Sequence, residues 1–337
     1  MVQEAILPIE ALRYRNYIHC TFDIETIEEK NLNCVPNRGT VTDARLLLLS
    51  MAVGSNAPNY EPKCWIRNSS EPVEEKTIIS NFVKELHELY DLKQDFIPDY
   101  FATAEQEIFE RQIILNAQIQ SGEKPWFEAR KLDGYQRVID NVRKLNCFGF
   151  NSARFDLPAI AAALFCKLLS SDSKISVLKK GSSYFSISSK SFNFQDIMKF
   201  TAPCSLDKFL KSWEAPAAKS IWPYSYFSNV EEIKECKCFP PKSAFFSELK
   251  GNGCNMKDYI AAKTEFHRRK LLPIDHPDRI KSMLGWLKYY NLLDVQPLAF
   301  AIEKCFRTYS ENFDVNPMLS QSLPGLAQEA MMKNFDP

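Results

Sequence analysis

Leu145-Asn146-Cys147-Phe148-Gly149-Phe150 is a short, largely apolar run with a helical stretch on each side, Gly134 to Lys144 before it and a helix through Leu169 after it. A strand entered and left through helices pairs with parallel neighbours and is covered on both faces. That run points to an α/β architecture around one sheet. The remaining pattern agrees. Tyr17 to Ile24, Ala44 to Val53 and Lys63 to Ile66 are β-prone and separated by polar, Asn- and Pro-containing connections, which predicts an opening antiparallel meander. Glu74 to Tyr90 then carries Ile78, Ile79, Phe82, Val83, Leu86 and Leu89 at helical spacing.

Ala102 to Gln120 also reads as a helix, and β-prone pieces recur at Lys174 to Lys179, Tyr184 to Ser188 and Phe192 to Phe194. Residues 215–254 are rich in Pro, Ser, Asn and Gly and show no period, so an irregular surface insertion is expected there. Tyr259 to Leu271 and Arg279 to Phe306 close the domain as helices, the second bent or broken at Pro297.

Composition narrows the function classes. With 337 residues, 45% of them apolar, the chain buries a large core, as one big domain or two modest ones. Lysine plus arginine number 42 and so do aspartate plus glutamate, which excludes a polycation that coats nucleic acid by charge alone. Any nucleic-acid site must be local. Ten cysteines sit mostly singly in apolar surroundings, as Cys20, Cys147, Cys166 and Cys305 do, and are expected to be reduced thiols. Cys236, Cys238 and Cys254 lack paired zinc-ligand spacing, and His267-Arg268-Arg269-Lys270 reads as a solvated helix face. With neither a secretory leader nor a membrane-length apolar run, the expectation is a soluble intracellular protein, with nucleus, cytoplasm and mitochondrion all open.

Acids concentrate in three places: Thr21-Phe22-Asp23-Ile24-Glu25-Thr26, Asn151-Ser152-Ala153-Arg154-Phe155-Asp156 and Tyr290-Asn291-Leu292-Leu293-Asp294. Four carboxylates and a phenol are the donor set that holds two divalent cations beside a phosphodiester. On a strand, Asp23 and Glu25 share a face while Phe22 and Ile24 point into the core. Two like charges side by side raise each other's pKa, a conflict that a cation removes. Asp156 falls at a strand-to-helix corner just ahead of Pro158, and Tyr290 and Asp294 share a helix face. Taken singly, each segment has an ordinary explanation as a solvated strand end, a helix cap or an amphipathic helix. Their order along the chain points to a metal-dependent nuclease.

These segments resemble the three exonuclease motifs of the DEDD superfamily of 3′-to-5′ exonucleases, in the form found in family B DNA polymerases. The residue four before the last aspartate is Tyr290, which indicates the tyrosine subclass. Phe194-Gln195-Asp196, Ser205-Leu206-Asp207-Lys208-Phe209, Trp222-Pro223-Tyr224, Tyr289 to Val295 and Ser322-Leu323-Pro324-Gly325-Leu326 extend the similarity to the protein-primed branch, found in linear plasmids, viruses and large transposons. The resemblance implies a ribonuclease H-like mixed sheet flanked by helices. It divides the chain into an extension over 1–16, an exonuclease domain over 17–312 and, over 313–337, the start of a polymerase domain absent here.

It further implies Asp23, Glu25, Asp156 and Asp294 as ligands of two Mg²⁺ or Mn²⁺ ions, with Tyr290 orienting the attacking water. Thr26, Asn151 and Phe155 match positions that hold a single-stranded 3′ end, and Lys219 is the candidate for a lysine on the scissile phosphate. A terminal protein primer would be met through the missing polymerase part. The polymerase carboxylate motifs, an Asp-Thr-Asp and an Asp-x-x-Ser-Leu-Tyr-Pro, are absent from the chain. The expected function is therefore proofreading hydrolysis without synthesis. A silent single-stranded-DNA-binding fragment and an RNA exonuclease of the same superfamily remain the alternatives.

Overall fold

The computed structural model describes residues 6–7, 17–30, 44–172, 174–216, 220–247 and 251–335. Strands β1 (Cys20–Lys30), β2 (Ala44–Ser55), β3 (Lys63–Ile66), β4 (Leu145–Gly149), β5 (Ser176–Lys180), β6 (Ser183–Ser188) and β7 (Phe192–Asp196) form one sheet in the order β3-β2-β1-β4-β7-β6-β5. The opening meander is antiparallel, β1, β4 and β7 are parallel neighbours, and β6 and β5 return antiparallel. The chain is thus α/β with a seven-stranded mixed sheet flanked by helices.

Helices α1 (Pro72–Gln94) and α4 (Asp156–Ser171) cover one face, where Phe22, Ile24, Met51 and Val53 pack with Ile79, Phe82, Leu86, Leu157 and Leu164. Helices α2 (Tyr100–Gln120) and α3 (Trp126–Arg143) form a satellite core with Tyr17. The opposite face is dominated by α8 (Met283–Phe313), with α5 (Leu206–Ser212), α6 (Val230–Glu235), α7 (Met256–Lys270) and α9 (Leu323–Phe335) around it. Strand β4 is buried along its whole length, as its apolar run requires. No helix among the described residues is long and apolar enough to cross a membrane.

A close polar seam fixes α8 on the strands. Thr21 Oγ1 donates to the Val295 carbonyl at 2.7 Å, and His19 Nε2 lies 3.2 Å from the Ala299 carbonyl. The Gln296 amide accepts from the Ser55 N–H at 3.2 Å and donates to the Ser55 carbonyl at 3.1 Å. Gly54 is what lets the helix come this near, because a Cβ there would stand 2.7 Å from Val295 C and 2.8 Å from Gln296 N. Pro297 removes one helical N–H, yet α8 continues through it, with hydrogen bonds from β1 and its lead-in on carbonyls at either side.

Several boundaries depart from expectation. Strand β1 runs past Ile24 to Lys30 because its pairing with β2 survives a bulge between Glu25 and Thr26 that leaves Leu49 unpaired. Helix α3 starts at Trp126 rather than Gly134, the glycine being tolerated inside it. The irregular segment after Ala215 is not a surface excursion. Its Trp222, Phe227, Val230, Ile233, Phe239 and Phe245 are buried against Trp286, Leu287 and Tyr290 of α8, and Trp286 Nε1 donates to the Ile221 carbonyl at 3.2 Å. Apart from the single short helix α6, this packing comes from chain without long regular elements, which leaves no period to read. Lys219 lies outside the described residues.

Two stability outcomes follow. Gly54→Ala is expected to cost about 1–3 kcal/mol, since its new methyl meets helix backbone rather than a flexible side chain. Gly134→Ala, inside α3 with nothing within 4 Å, is expected to gain about 0.5–1 kcal/mol. Urea unfolding of both variants checks the opposed signs. His19 is fully buried, and burial pushes its pKa from 6.5 down to about 4. Below pH 6.5 the unfolded chain takes up a proton that the folded chain refuses, so stability falls with pH down to about 4. Unfolding across pH should show a loss of about 3 kcal/mol from this group, absent in His19→Gln.

Candidate metal centre

Asp23 and Glu25 project from the same face of β1 toward α8, and Asp294 projects from α8 toward them. Each offers a carboxylate oxygen, and those atoms all lie within 4.8 Å of one another. Glu25 and Asp294 are buried and Asp23 is half-buried. Three carboxylates gathered out of water repel one another, and a divalent cation is the partner that relieves them. An all-oxygen donor set suits Mg²⁺ or Mn²⁺ rather than a soft metal.

The position of Asp23 is set by a residue outside the acid pattern. Asn291, fully buried on α8, donates from Nδ2 to Asp23 Oδ2 at 2.7 Å. Its Oδ1 accepts from Ser50 Oγ at 3.2 Å and from Cys64 Sγ at 3.7 Å, which fixes the amide orientation. The β-bulge makes this possible. Leu49 packs into the α8-side core and the next residue, Ser50, also reaches α8, whereas regular alternation would turn one of them away.

Asp156 begins α4 immediately after Phe155 and is buried. It stands outside the 4.8 Å group but lines the same cleft, of ≈ 870 Å³, together with Asp23, Glu25, Thr26, Asn151, Phe155 and Asp294. The cap position of this helix is Phe155, and Asp156 falls in the first turn, where a carboxylate also suits the helix dipole. The turn before it is shaped by Asn151, in the left-handed region at φ 59°, which Asn tolerates better than most residues. Asp196, at the end of β7, clamps that turn by accepting from the N–H groups of Asn151 at 2.9 Å and Ala153 at 3.1 Å, as well as from Met198 at 2.9 Å. Burial raises the Asp196 pKa, and those three N–H donors oppose the rise. Phe155 presents an exposed ring at the mouth of the cleft.

Tyr290 shares a helix face with Asp294, and its hydroxyl lies 2.8 Å from that of Tyr224. The Tyr224 hydroxyl in turn donates to Glu25 Oε1 at 3.5 Å, and Tyr224 lines the acid cleft. Burial, then nearby carboxylates, hold the Tyr224 phenol well above its usual range. Burial and the neighbouring Tyr224 do the same for Tyr290. Both phenols stay protonated and act as hydrogen-bonding groups. The pair forms a relay from Tyr290 through Tyr224 toward Glu25.

The acids, Thr26, Asn151 and Phe155 therefore meet in one cleft, while Asn291, Asp196 and Tyr224 are site residues that the acid pattern did not single out. The one sequence signal for them was their presence in or beside the segments that carry the resemblance. No protein-family model, curated protein or solved structure matches the chain.

Mg²⁺ or Mn²⁺ is expected to raise the melting temperature, by an amount equivalent to about 2.7 kcal/mol at a hundredfold excess over its dissociation constant. Asp294→Asn should remove most of that rise while leaving the metal-free protein no less stable, because one of three crowded charges is gone. Thermal melts with and without metal check both halves, and an undiminished rise in the variant would exclude Asp294 as a ligand.

Proposed function

We propose that this chain is a 3′-to-5′ DNA exonuclease of the DEDD superfamily, tyrosine subclass, that removes nucleotides from single-stranded 3′ ends. The observation that carries the reading is the convergence of Asp23, Glu25, Asp156 and Asp294, from three distant segments, on one cleft with Thr26, Asn151 and Phe155. The antiparallel meander continued by the parallel strands β4 and β7, with acids gathered at and after β1 and β4, supports a ribonuclease H-like sheet. Its flanking segments resemble protein-primed family B polymerases, which makes proofreading the setting of this activity.

Asp23, Glu25, Asp156 and Asp294 would hold a pair of Mg²⁺ or Mn²⁺ ions, which when bound supply an activated water and neutralise charge on the leaving 3′ oxygen. The chain's own groups do the positioning. The exposed Phe155 ring stacks on a base, worth about 1–3 kcal/mol and indifferent to sequence. Asn151 and Thr26 line the same cleft, placed to meet the terminal nucleotide. Tyr290, kept protonated, works with Tyr224 at the Glu25 side to orient water. A site that grips only a frayed end has no need of a basic coat, in keeping with a net charge of zero.

Incubating the purified chain with a 5′-labelled single-stranded oligonucleotide and Mg²⁺ or Mn²⁺ should give a ladder of shortened products, lost in Asp23→Ala. Tyr290→Phe should retain more activity than Asp294→Ala, because a phenol that orients water is less essential than a carboxylate that holds metal. No ladder from the unaltered chain, or an undiminished ladder from Asp23→Ala, would sink the reading. A matched RNA substrate reports how the pocket treats a 2′-hydroxyl.

A further inference from the structure

A second cleft, of ≈ 460 Å³, opens on the far side of the turn that carries Asn151 and Phe155. Asn151 and Arg154 line both clefts, so the two share a wall. The other wall is the β5–β6 hairpin, which contributes Lys180 and Tyr184, and the floor includes Lys199. The hairpin is fastened to the turn, since the Tyr184 N–H donates to the Ala153 carbonyl at 2.9 Å. The two walls therefore hold a fixed spacing.

Charge on this surface departs from the rest of the molecule. In a chain of net charge zero, residues 173–195 hold four lysines and no aspartate or glutamate. Arg154 and Lys180 are exposed, and neither side chain forms an ion pair or hydrogen bond among the described residues. Lys179 lies over the Tyr184 ring at 4.2 Å, and Lys199 lies over the Phe185 ring at 3.9 Å while donating to the Phe185 carbonyl. The acid in the lining, Asp196, is occupied by the N–H groups of Asn151, Ala153 and Met198. Lysines on an edge strand also block edge-to-edge pairing, and β5 is an edge strand. Edge protection does not explain why Arg154, on a different element, faces the same cleft.

We propose that this second cleft is a track for the phosphodiester backbone of a single strand whose 3′ end lies among the acids of the first. The proposal rests on the nuclease reading for its direction, and on Arg154, Lys180 and Lys199 for its chemistry. Successive phosphates leaving the acidic cleft pass the shared Asn151–Arg154 wall and meet cations, which offset the repulsion the strand meets among the carboxylates. Such a track grips by charge and is indifferent to base sequence.

Fluorescence anisotropy in Ca²⁺ with an oligonucleotide of about a dozen nucleotides tests it. Lys180→Gln should weaken binding about threefold and Lys180→Glu about tenfold, and the slope of log affinity against log salt should fall by about 0.7 for each lost contact. Lys124→Gln, an exposed lysine on the α2–α3 connection, should bind like the unaltered chain. Hydrolysis of the p-nitrophenyl ester of thymidine monophosphate, too short to enter the track, should be unchanged by Lys180→Gln. Unaltered oligonucleotide binding in both Lys180 variants overturns the track, and increased self-association without a binding change identifies the lysines as edge guards instead. If the unaltered chain leaves the ester intact while binding still depends on Lys180, the track stands and the nuclease reading falls.

Discussion

The seating of α8 on the ends of β1 and β2 is the contact on which the site depends. Asp294 reaches Asp23 and Glu25 because the helix backbone approaches the sheet where Gly54 has no side chain, and because Thr21 and Gln296 tie the two together. Carboxylates brought within 4.8 Å of one another push apart, so the scaffold must be stiff enough to resist. Aromatic packing from the irregular segment around Trp222, Phe239 and Phe245 braces the same helix from its other side. Sheet, helix and irregular segment thus oppose one local repulsion.

Three of the four acids have a positioning group of their own. Asn291 orients Asp23 through an amide whose far side is fixed by Ser50 and Cys64. Asp196 shapes the turn that delivers Asp156, and Tyr224 links Tyr290 to Glu25. Asn291 and Asp196 are polar and buried, where an unsatisfied partner is costly, so they favour one arrangement of the site over its neighbours.

Much of the architecture was legible because it follows from local periodicity. The apolar run at 145–150 became a buried parallel strand, and the spacing from Ile78 to Leu89 became the buried stripe of α1. What was not legible arises from long-range packing. Residues 220–247 are rich in aromatics, but a mostly irregular chain buries them without a period that would say which face is covered. The bulge at Leu49 is a matter of register between two strands, and register is invisible in either strand alone. Asn291 looks like an interruption in a helical stripe until Asp23 is seen opposite it. The acids themselves stood out because charges on otherwise apolar elements are conspicuous.

The bond from Asn291 to Asp23 joins residues 268 positions apart. During synthesis, the amino-terminal strands emerge with Asp23 and Glu25 long before α8 exists, and the carboxylate group closes only once α8 has been made. Any product cut short before α8 carries Asp23, Glu25 and Asp156 but lacks Asp294 and the Asn291 amide that holds Asp23. Closure of the centre thus waits on α8, and a nascent chain cannot assemble it before the strands and most of the helices that restrain it have been made.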